Sequence, residues 1–500
     1  MKLLLTLTLG ASLALSQTQT ATLRGAISDN TGAVIPMARV TLTSTSQGRS
    51  WNAITNEEGA YVIVQIPPGP YSLAVEAKGF KQHQRTSMIL EVAQVAALDV
   101  TLEVGSLSEV VEVNTQVPLL ETASSTLDSL VNQKTAEALP LNCRNVLQLV
   151  ALTPGINTTR SSRGATNGNG SITSMAFSAN GGRDVSNEVM LDGSPQVVMG
   201  YNQPAYVPTP DALQEFRVQT NSLSAEYGRT GGAVINLVHR SGTKEFHGVL
   251  YEFLRNDKFD ANGFFNNRNG RNKAPFRYNQ FGFTFGGPLT PSRQNTFFFI
   301  SYEALRTVNP GSAVNTVPTS AMKQGDFSAT RVTVYDPATI NAAGARQPFS
   351  GNRIPSTRFD RVATKVLSFI PDPTSAALSN NFFSQAGTRG RSDDFSIKLD
   401  RRISAGKNLF GRFSWNNVDN TTADLFRNPG SPDAGVSGAR NRSITIDDSH
   451  TTNGWVFHGN LGYAYHANPR DTSSRGFDIT SLGFPKAVAD NAQVAMFPRF

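Results

Sequence analysis

Short segments in which apolar and polar residues alternate, separated by turn residues, make up most of this chain. Near the N-terminus the alternation is clear in Arg39–Thr43 and in Tyr71–Val75, where every second residue is apolar. Alternation with a period of two predicts β-strands that bury one face. Clusters such as Asp29-Asn30-Thr31-Gly32 and Pro67-Pro68-Gly69 favour tight turns between these strands. We therefore predict a β-sandwich over residues 22–104.

The second half of the chain alternates in the same way, with aromatic residues on one parity. Phe281, Phe283 and Phe285 alternate with small residues, and the same pattern recurs in Phe395–Leu399 and Trp455–Tyr465. One apolar face and one small or charged face are typical of strands that lie between lipid and a polar lumen. A soluble sandwich gives the same alternation, so the pattern alone leaves both architectures open.

The lengths of the connections distinguish these two architectures. Strands are predicted at 246–254, 277–287, 296–305, 393–403, 408–418 and 453–466. The connections after the second and fourth strands are short and the others are long, as in outer-membrane barrels. Lys398, Asp400 and Arg412 fall on the parity opposite to the apolar residues, where charge avoids lipid. Six strands are too few for a barrel that encloses another domain, which takes about 22 strands, so we expect this sequence to be the N-terminal part of a longer protein.

Residues 119–243 show a mixed pattern between these two regions. A short helix is predicted over Asn145–Leu152, ended by Pro154-Gly155. A polar tract rich in Asn, Gly and Ser follows at Asn157–Ser171, and a Gly-rich segment with a strand closes the region at Glu226–Thr243. These features predict a mixed α/β domain.

A five-residue segment of high β propensity precedes this mixed domain. It consists of Glu109, Val110, Val111, Glu112 and Val113, and Pro118 ends it. Such a segment in a linker can be added as a strand to the open edge of a partner's sheet. It could equally be the first strand of the next domain, and the sequence leaves both alternatives open.

Export is predicted by the first sixteen residues, and several other functions are excluded by composition. Lys2, the apolar run Leu3–Leu15 and the small residues before Gln17 are typical of a secretory signal peptide, and the run is too short to span a bilayer. The formal net charge of +7 is scattered along the chain rather than concentrated in a basic stripe, so nucleic acid is not an expected partner.

Catalytic chemistry is not predicted either. The six His residues show no metal-binding spacing, no GxSxG motif occurs, and the lone Cys143 cannot form an internal disulfide. We therefore predict no catalytic residue, no metal site and no cofactor.

The N-terminal segment resembles the carboxypeptidase regulatory-like domain, which implies a prealbumin-like β-sandwich without catalytic residues. Related sandwiches include carbohydrate-binding members, while a spacer without a ligand is the simpler alternative. The resemblance is carried by Gly25, Asp29, Gly32, Ala38, Val40, Leu42, Thr55, Gly59, Tyr61, Pro68-Gly69, Tyr71 and Lys78-Gly79-Phe80.

The following segments resemble the plug domain of TonB-dependent outer-membrane receptors, in particular the Oar-like group. The matching segments are Leu139–Asn145, Leu152–Ile156, Leu191–Gly193 and Gly231–Thr243, with Cys143 where the family usually has Gly. The resemblance implies a mainly β protein in a Gram-negative outer membrane. Its expected parts are a signal peptide (1–16), the sandwich (22–104), a linker (105–118), a plug (119–243) and the N-terminal part of a large antiparallel transmembrane β-barrel (244–500).

The resemblance also implies a function, which is uptake of a ligand by energy-coupled displacement of the plug. Glu109–Val113 then becomes a candidate TonB box, the segment pulled by a TonB-like protein of the inner membrane. Outer-membrane lipid is the other expected partner, and the ligand is a siderophore, an oligosaccharide or a peptide. Tyr201 and Tyr206 are candidate ligand contacts at the plug apex. An adhesin or carbohydrate-binding protein anchored by the barrel, and a passive porin-like channel, are the alternatives.

Overall fold

The fold is that of a computed structural model, which describes most of residues 20–498. The segments outside the described residues are 107–108, 114–125, 140, 142–143, 159–176, 184–185, 199–202, 226, 229, 271, 274, 291–294, 310, 405, 433 and 453–454. The predicted signal peptide, Cys143 and Tyr201 therefore lie outside the described part of the chain.

The N-terminal domain is a β-sandwich, as the alternation predicts. One sheet has the order β4-β1-β7, with β8 also paired to β1, and the facing sheet has the order β3-β2-β5-β6-β9. The strands are β1 (Ala21–Asp29), β2 (Arg39–Ser44), β3 (Ser50–Ile54), β4 (Ala60–Ile66), β5 (Gly69–Glu76), β6 (Gln82–Leu90), β7 (Val95–Ala97), β8 (Val100–Leu102) and β9 (Val110–Val113).

The sandwich core consists of the apolar residues of each strand's inner parity. Val40 and Leu42 of β2 and Leu73 and Val75 of β5 are fully buried, and their polar neighbours in sequence point outward. Burial of such a side chain stabilises the fold by about 1.5–3 kcal/mol. The alternation seen in the sequence is therefore the cause of the two-layer packing.

Strand β9 belongs to the sandwich, which neither alternative from the sequence anticipated. It pairs in parallel with β6, with Gln82 opposite Val110 and Arg85 opposite Val113. The alternative that made Glu109–Val113 the first strand of the following domain is wrong for the described residues. The reason is long-range: the edge of β6 is open to a strand, and the chain returns to it after β8.

A middle domain follows, with a five-stranded sheet in the order β10-β17-β18-β13-β14. Its core is apolar and includes Phe216, Val218, Ile235 and Leu237, which are fully buried. The strands of this region are β10 (Leu127–Asn132), β11 (Ile156–Thr158), β12 (Phe177–Ala179), β13 (Glu188–Leu191), β14 (Ser194–Pro195), β15 (Val197–Val198), β16 (Gln203–Pro204), β17 (Leu213–Asn221) and β18 (Val234–His239).

Two short helical segments cover this sheet. Helix α1 (Gln133–Ala138) follows β10, and the predicted helix near Asn145 is a 3₁₀ helix, Val146–Leu152. The Asn145 side chain accepts a hydrogen bond from the Leu147 N–H at 3.0 Å, which caps the helix N-terminus. A second 3₁₀ helix, Pro210–Ala212, leads into β17.

The C-terminal half forms a long antiparallel sheet in the order β19-β20-β21-β24-β25-β26-β27, with β28 paired to β26. In the described residues, the terminal strands β19 and β27 do not pair with each other, so the sheet is not closed. The strands of this half are β19 (His247–Asn256), β20 (Arg277–Pro288), β21 (Thr296–Asn309), β22 (Ser312–Asn315), β23 (Phe382–Gln385), β24 (Thr388–Arg402), β25 (Lys407–Thr421), β26 (Gly435–Thr452), β27 (Trp455–Ala467) and β28 (Arg470–Thr472).

All six barrel strands expected from the sequence are present, but β26 was missed. The segment expected as a loop between 418 and 453 contains this long strand. Its apolar signal is short. Ile444 and Ile446 alternate with Ser and Thr, but most of the other residues of the strand are polar. Between neighbouring strands of the long sheet, the connections after β20, β24 and β26 are short, and those after β19, β21 (to β24) and β25 are longer, as predicted.

The two faces of the long sheet differ in chemistry. The outer face carries exposed apolar side chains, namely Leu250, Phe281, Phe283, Phe285, Leu399, Phe413, Ile444, Ile446, Phe457, Leu461 and Tyr463. The inner face carries buried polar ones, namely Gln280, Thr284, Ser301, Glu303, Asp394, Ser396, Lys398, Arg412, Ser414, Asn416, Asn441, Ser443 and Thr445. The middle domain packs against this polar face.

The long connections of the sheet and the segment after β28 contain the remaining short helices. Phe369, Phe477 and Phe497 form an aromatic cluster that joins the connection before β23 to the segment after β28. The α-helices are α2 (Phe264–Arg268), α3 (Ser320–Lys323), α4 (Arg361–Leu367) and α5 (Lys486–Asp490), and the 3₁₀ helices are Asp257–Phe259, Pro337–Thr339, Ser350–Asn352, Ser356–Arg358 and Ile479–Leu482. Among the residues described, no helix has the length and apolarity to cross a membrane.

Candidate functional site

The contact between the middle domain and the long sheet centres on a buried carboxylate. Asp192 lies in the turn between β13 and β14, with a positive φ of 48° followed by Gly193 at 77°. Its Oδ1 lies 3.1 Å from Lys398 Nζ of β24, and its Oδ2 lies 2.8 Å from Arg412 Nε of β25. The three side chains are 2%, 6% and 0% exposed, so this ion pair network is closed to solvent.

The remaining polar atoms of this network have partners too. Arg412 donates from its Nη atoms to Ser414 at 2.9 Å and to Thr445 at 2.8 Å on the inner face of the sheet. Asp192 Oδ1 also accepts from the His239 backbone N–H at 3.1 Å. Burial alone would raise the pKa of Asp192, but the charges of Lys398 and Arg412 outweigh it and hold that pKa below its ordinary value.

His239 at the end of β18 extends this contact as a neutral side chain. Its Nδ1 lies 2.9 Å from the Arg240 carbonyl oxygen, so Nδ1 carries the proton and donates. Its Nε2 then accepts from the Ser396 hydroxyl at 2.6 Å, and Ser301 lies 2.6 Å from Ser396. Complete burial lowers the pKa of His239 to about 3, which keeps the imidazole uncharged beside Lys398.

A second ionic contact joins the middle domain to the neighbouring strands of the sheet. The Arg144 guanidinium pairs with Asp211 of the middle domain and lies 3.2 Å from Glu303 Oε2 of β21. It also lies over the Tyr251 ring, 4.7 Å from its centroid, and Tyr251 donates to Glu303 at 2.9 Å. Two buried contacts of opposite polarity therefore hold the middle domain: Asp192 meets cations of the sheet, and Arg144 meets a carboxylate.

Of the two predicted ligand contacts, Tyr206 lies within the described residues and Tyr201 does not. Tyr206 is fully buried and donates its hydroxyl to Asp394 Oδ1 of β24 at 3.0 Å, so it faces the sheet and not solvent. A ligand contact at Tyr206 stays a prediction and requires this contact to open. Tyr201 lies outside the described residues.

The candidate TonB box is held at the edge of the sandwich. Gln82 donates its backbone N–H to the Glu109 carbonyl at 2.9 Å. Lys81 Nζ lies 3.1 Å from Glu109 and 3.4 Å from Glu103, and the hydrogen bond to Glu109 raises the pKa of Lys81. Strand β9 and the residue before it are thereby fixed in an extended conformation.

The sandwich contacts the middle domain through side chains of strand β17. Gln214 Nε2 donates to the Pro68 carbonyl at 2.7 Å, and Glu215 Oε1 accepts from the Val92 backbone N–H at 2.5 Å. Arg217 lies 3.0 Å from Glu91 of the sandwich. Burial raises the pKa of Glu215 to about 7. The central part of the protein is thus linked by polar contacts on both sides.

A cavity of about 400 Å³ lies where the three parts meet. The sandwich contributes Arg49 and Tyr71, the middle domain Gln214 and Ser241, and the long sheet Asp400 and His458. Across the described residues, the cavity included, no group of three or more His, Cys, Asp and Glu side chains has an arrangement that could hold a metal ion.

The sequence indicates several residues of this site, but it does not indicate which of them form ion pairs with each other. The parity of Lys398 and Arg412 already placed both on the inner face, and the resemblance singled out the Leu191–Gly193 segment. Nothing in the sequence signals that Asp192 lies between those two cations, since more than 200 residues separate them along the chain. His239 had no signal either, because it stands alone in an apolar strand.

Two families of known domains match this chain. Residues 238–500 match the outer membrane beta barrel domain, and residues 22–103 match the carboxypeptidase regulatory-like domain. A relative, the TonB-dependent transporter Oar of Myxococcus xanthus, is 28% identical over 300 residues, which cover 55% of this chain and 26% of Oar. The matched part of this chain thus spans about a quarter of that transporter.

Solved structures of outer-membrane proteins are similar over a comparable region. The outer membrane transporter YddB from Escherichia coli has a TM-score of 0.45 and 12% identity, covering 69% of this chain and 40% of YddB. The siderophore receptor PirA from Acinetobacter baumannii has a TM-score of 0.41 and 14% identity, covering 70% and 41%.

The family assignment explains the two faces of the long sheet. The exposed apolar face meets the lipid of a Gram-negative outer membrane, and the buried polar face lines the interior. The match to the barrel family extends over more than half of the residues and includes strands β19–β28. The chain therefore belongs to the outer membrane β-barrel family, is similar to Oar-type TonB-dependent transporters, and carries an N-terminal carboxypeptidase regulatory-like domain.

Proposed function

We propose that this protein takes up a ligand across the outer membrane by TonB-dependent displacement of its middle domain, which acts as the plug. The observation that carries the proposal is the packing of the middle domain against the polar inner face through Asp192, Lys398 and Arg412. The similarity to a TonB-dependent transporter supports the same function.

The chemistry of this contact suits a part that moves. Ser301, Ser396, Ser443 and Thr445 line the inner face of the sheet where the middle domain sits. When the plug moves, such groups exchange protein hydrogen bonds for hydrogen bonds to water, so their net loss is only about 0.5–1.5 kcal/mol each. An apolar contact of the same area would lose its full burial energy.

Energy coupling is assigned to Glu109–Val113. This segment precedes the plug in sequence, and it is extended on the sandwich. The sandwich contacts the end of β24 beside a short connection, where Arg402 Nη1 lies 3.5 Å from the Gly48 carbonyl oxygen, and short connections face the periplasm in barrels of this kind. We propose that TonB binds here and pulls. The transported ligand is a siderophore, an oligosaccharide or a peptide, and no covalent chemistry is assigned to the protein.

Deletion of Glu109–Val113 tests this function. The variant is expected to reach the outer membrane, to show the same heat-modifiable mobility in detergent as the wild type, and to lose binding of the purified periplasmic domain of the host's TonB. Deletion of the exposed turn Ala342–Arg346, which is equally long, is the control and should leave TonB binding intact. TonB binding that survives the first deletion contradicts the proposal, and adhesion would then be the function to test.

A further inference from the structure

The sheet that contains β9 ends at β9. The order β3-β2-β5-β6-β9 places β6 on one side of it, and within the described residues no strand pairs with its other side. A strand at the edge of a sheet presents a row of unpaired backbone N–H and C=O groups, which is a template for pairing with another chain. The candidate TonB box is therefore paired with β6 along one edge, and its other edge has no partner strand within the described residues.

The parallel pairing decides which backbone groups are open. Adjacent residues of a strand direct their N–H and C=O groups to opposite edges. Because the Glu109 carbonyl accepts from Gln82, the groups of Val111 and Val113 face β6 as well. The N–H and C=O groups of Val110 and Glu112 consequently face outward. Within the described residues no strand pairs with these groups, and the Val110 side chain beside them is 52% exposed.

The start of β9 is held by side chains in addition to the backbone. Lys81 bridges Glu103, just after β8, and Glu109, just before β9. Phe80 and Val104 form an isolated antiparallel bridge directly beside it. Exposed ion pairs of this kind contribute little each, but together with the backbone pairing they support the extended conformation. A partner that binds β9 in place therefore avoids the cost of ordering a flexible segment.

We infer that the sandwich is a presenting platform: an extended strand of TonB adds to the outer edge of β9 while β9 stays paired with β6. This inference rests on the proposed function and assigns to the N-terminal domain a role that the sequence left open. The partner strand must offer backbone groups to Val110 and Glu112. Its side chains meet an edge that is apolar at Val110 and acidic at Glu112.

The path of the pulling force follows from this arrangement. If β9 stays on the sandwich, a pull on β9 moves the sandwich, and the sandwich holds strand β17 of the plug. Gln214, Glu215 and Arg217 carry that connection, through Pro68, Val92 and Glu91. The force then acts on a central strand of the plug sheet as well as on the linker that leads to β10.

A disulfide across β6 and β9 tests the inference. His83→Cys and Val111→Cys occupy facing positions in the register, and Cys143→Ser removes the native thiol. The control is Thr41→Cys with Asn52→Cys, an exposed facing pair of β2 and β3 in the same sheet. Affinity for the purified periplasmic domain of TonB is measured for both variants of the protein in detergent, oxidised and after dithiothreitol.

We expect the oxidised β6–β9 variant to bind TonB within about threefold of the wild type. A loss of about tenfold or more on oxidation, reversed by dithiothreitol and not seen in the control, shows that β9 must leave the sandwich and overturns the inference. A pair that does not oxidise contradicts the pairing itself. Absence of TonB binding in the wild type refutes the proposed function, which is a separate result.

A proline substitution in β9 gives a second test that needs no disulfide. Glu112→Pro removes an outward N–H, and proline is tolerated at edge positions whose N–H faces solvent. We expect this variant to keep the thermal midpoint of the wild type and to lose TonB affinity by about tenfold or more, while Glu112→Ala binds like the wild type. Glu112→Pro with unchanged affinity overturns the inference.

Discussion

The Oδ2 atom of Asp192 lies 2.8 Å from the Nε atom of Arg412, and both side chains are buried between the middle domain and the long sheet. Lys398 Nζ lies 3.1 Å from the other oxygen of the same carboxylate. One acidic residue in a tight turn thereby pairs with two cations of the long sheet. Loss of this residue leaves two buried charges without their counter-ion, which makes Asp192 the most sensitive position of the contact.

Asp192→Ala is expected to weaken the docking of the plug strongly. Removal of one partner of a buried ion pair costs about 3–5 kcal/mol, because the remaining charges stay desolvated. Limited proteolysis of the protein in detergent should cleave the plug much faster than in the wild type. Asp471→Asn is the control, since its partner Arg475 is exposed and the pair contributes at most about 1 kcal/mol. Equal cleavage rates of the two variants would contradict the assigned role.

The contact between Glu215 and Val92 is expected to depend on pH. Burial raises the pKa of Glu215 to about 7, above its ordinary value of 4.5, so the folded state binds a proton that the unfolded state has lost. The resulting stabilisation is complete below about pH 4.5 and is lost as the pH rises through about 7. The wild type should therefore become less stable than Glu215→Gln between pH 5 and pH 8, by a difference on the order of 3 kcal/mol.

Urea unfolding at a series of pH values measures this difference. Glu57→Gln, at an exposed turn of the sandwich, is the matched control and should follow the wild type at every pH. A Glu215→Gln variant whose unfolding midpoint runs parallel to that of the wild type from pH 5 to pH 8 is incompatible with a buried, proton-binding Glu215.

Ile444→Lys tests whether the outer face of the sheet meets hydrocarbon. Ile444 lies in the middle of β26, opposite Phe413 and Tyr463 of the neighbouring strands, and its side chain is exposed. A lysine at the bilayer midplane of a barrel costs about 2–4 kcal/mol, whereas Ile444→Leu should be close to neutral. The folded fraction in lipid vesicles, read from heat-modifiable mobility, should fall only for the lysine variant. A similar folded fraction for both variants would place this face in water.

Tyr206→Phe separates the wall contact from a ligand contact. The substitution removes the hydroxyl that donates to Asp394 at 3.0 Å and leaves that buried carboxyl without this donor. We expect the plug docking to weaken by about 1–3 kcal/mol, visible as faster limited proteolysis. Cleavage at the wild-type rate would show that the Asp394 contact contributes nothing and would leave ligand binding as the remaining role of Tyr206.

The parts of this fold that the sequence predicts are those with a local, apolar signal. Phe281, Phe283 and Phe285 mark a barrel strand because a lipid-facing side chain must be apolar at every second position. Strand β26 carries this signal only weakly, because Arg440 and Arg442 share the parity of Ile444 and Ile446. A polar strand between polar loops is not distinguishable from a loop by its pattern.

Contacts between segments that are distant along the chain are a second feature of the fold that the sequence does not predict. The parity of Arg412 shows that it faces the lumen, but its partner Asp192 is identified only when both domains are folded. Strand β9 shows the same limit: its β propensity is evident, yet its neighbour β6 depends on an edge left open by the sandwich. Local propensity predicts that a segment is a strand, whereas its pairing partner depends on which sheet edges are open in the whole fold.

Labelling of a cysteine behind the plug tests the central claim most directly. Ser396 is fully buried on the barrel wall, where its hydroxyl meets His239 of the plug. Ser396→Cys in the Cys143→Ser background is exposed to a membrane-impermeant maleimide in growing cells, with and without TonB. We predict labelling that requires TonB and is abolished by deletion of Glu109–Val113. Labelling that is the same in all these cells would show that the plug does not move in response to TonB, and would contradict the account.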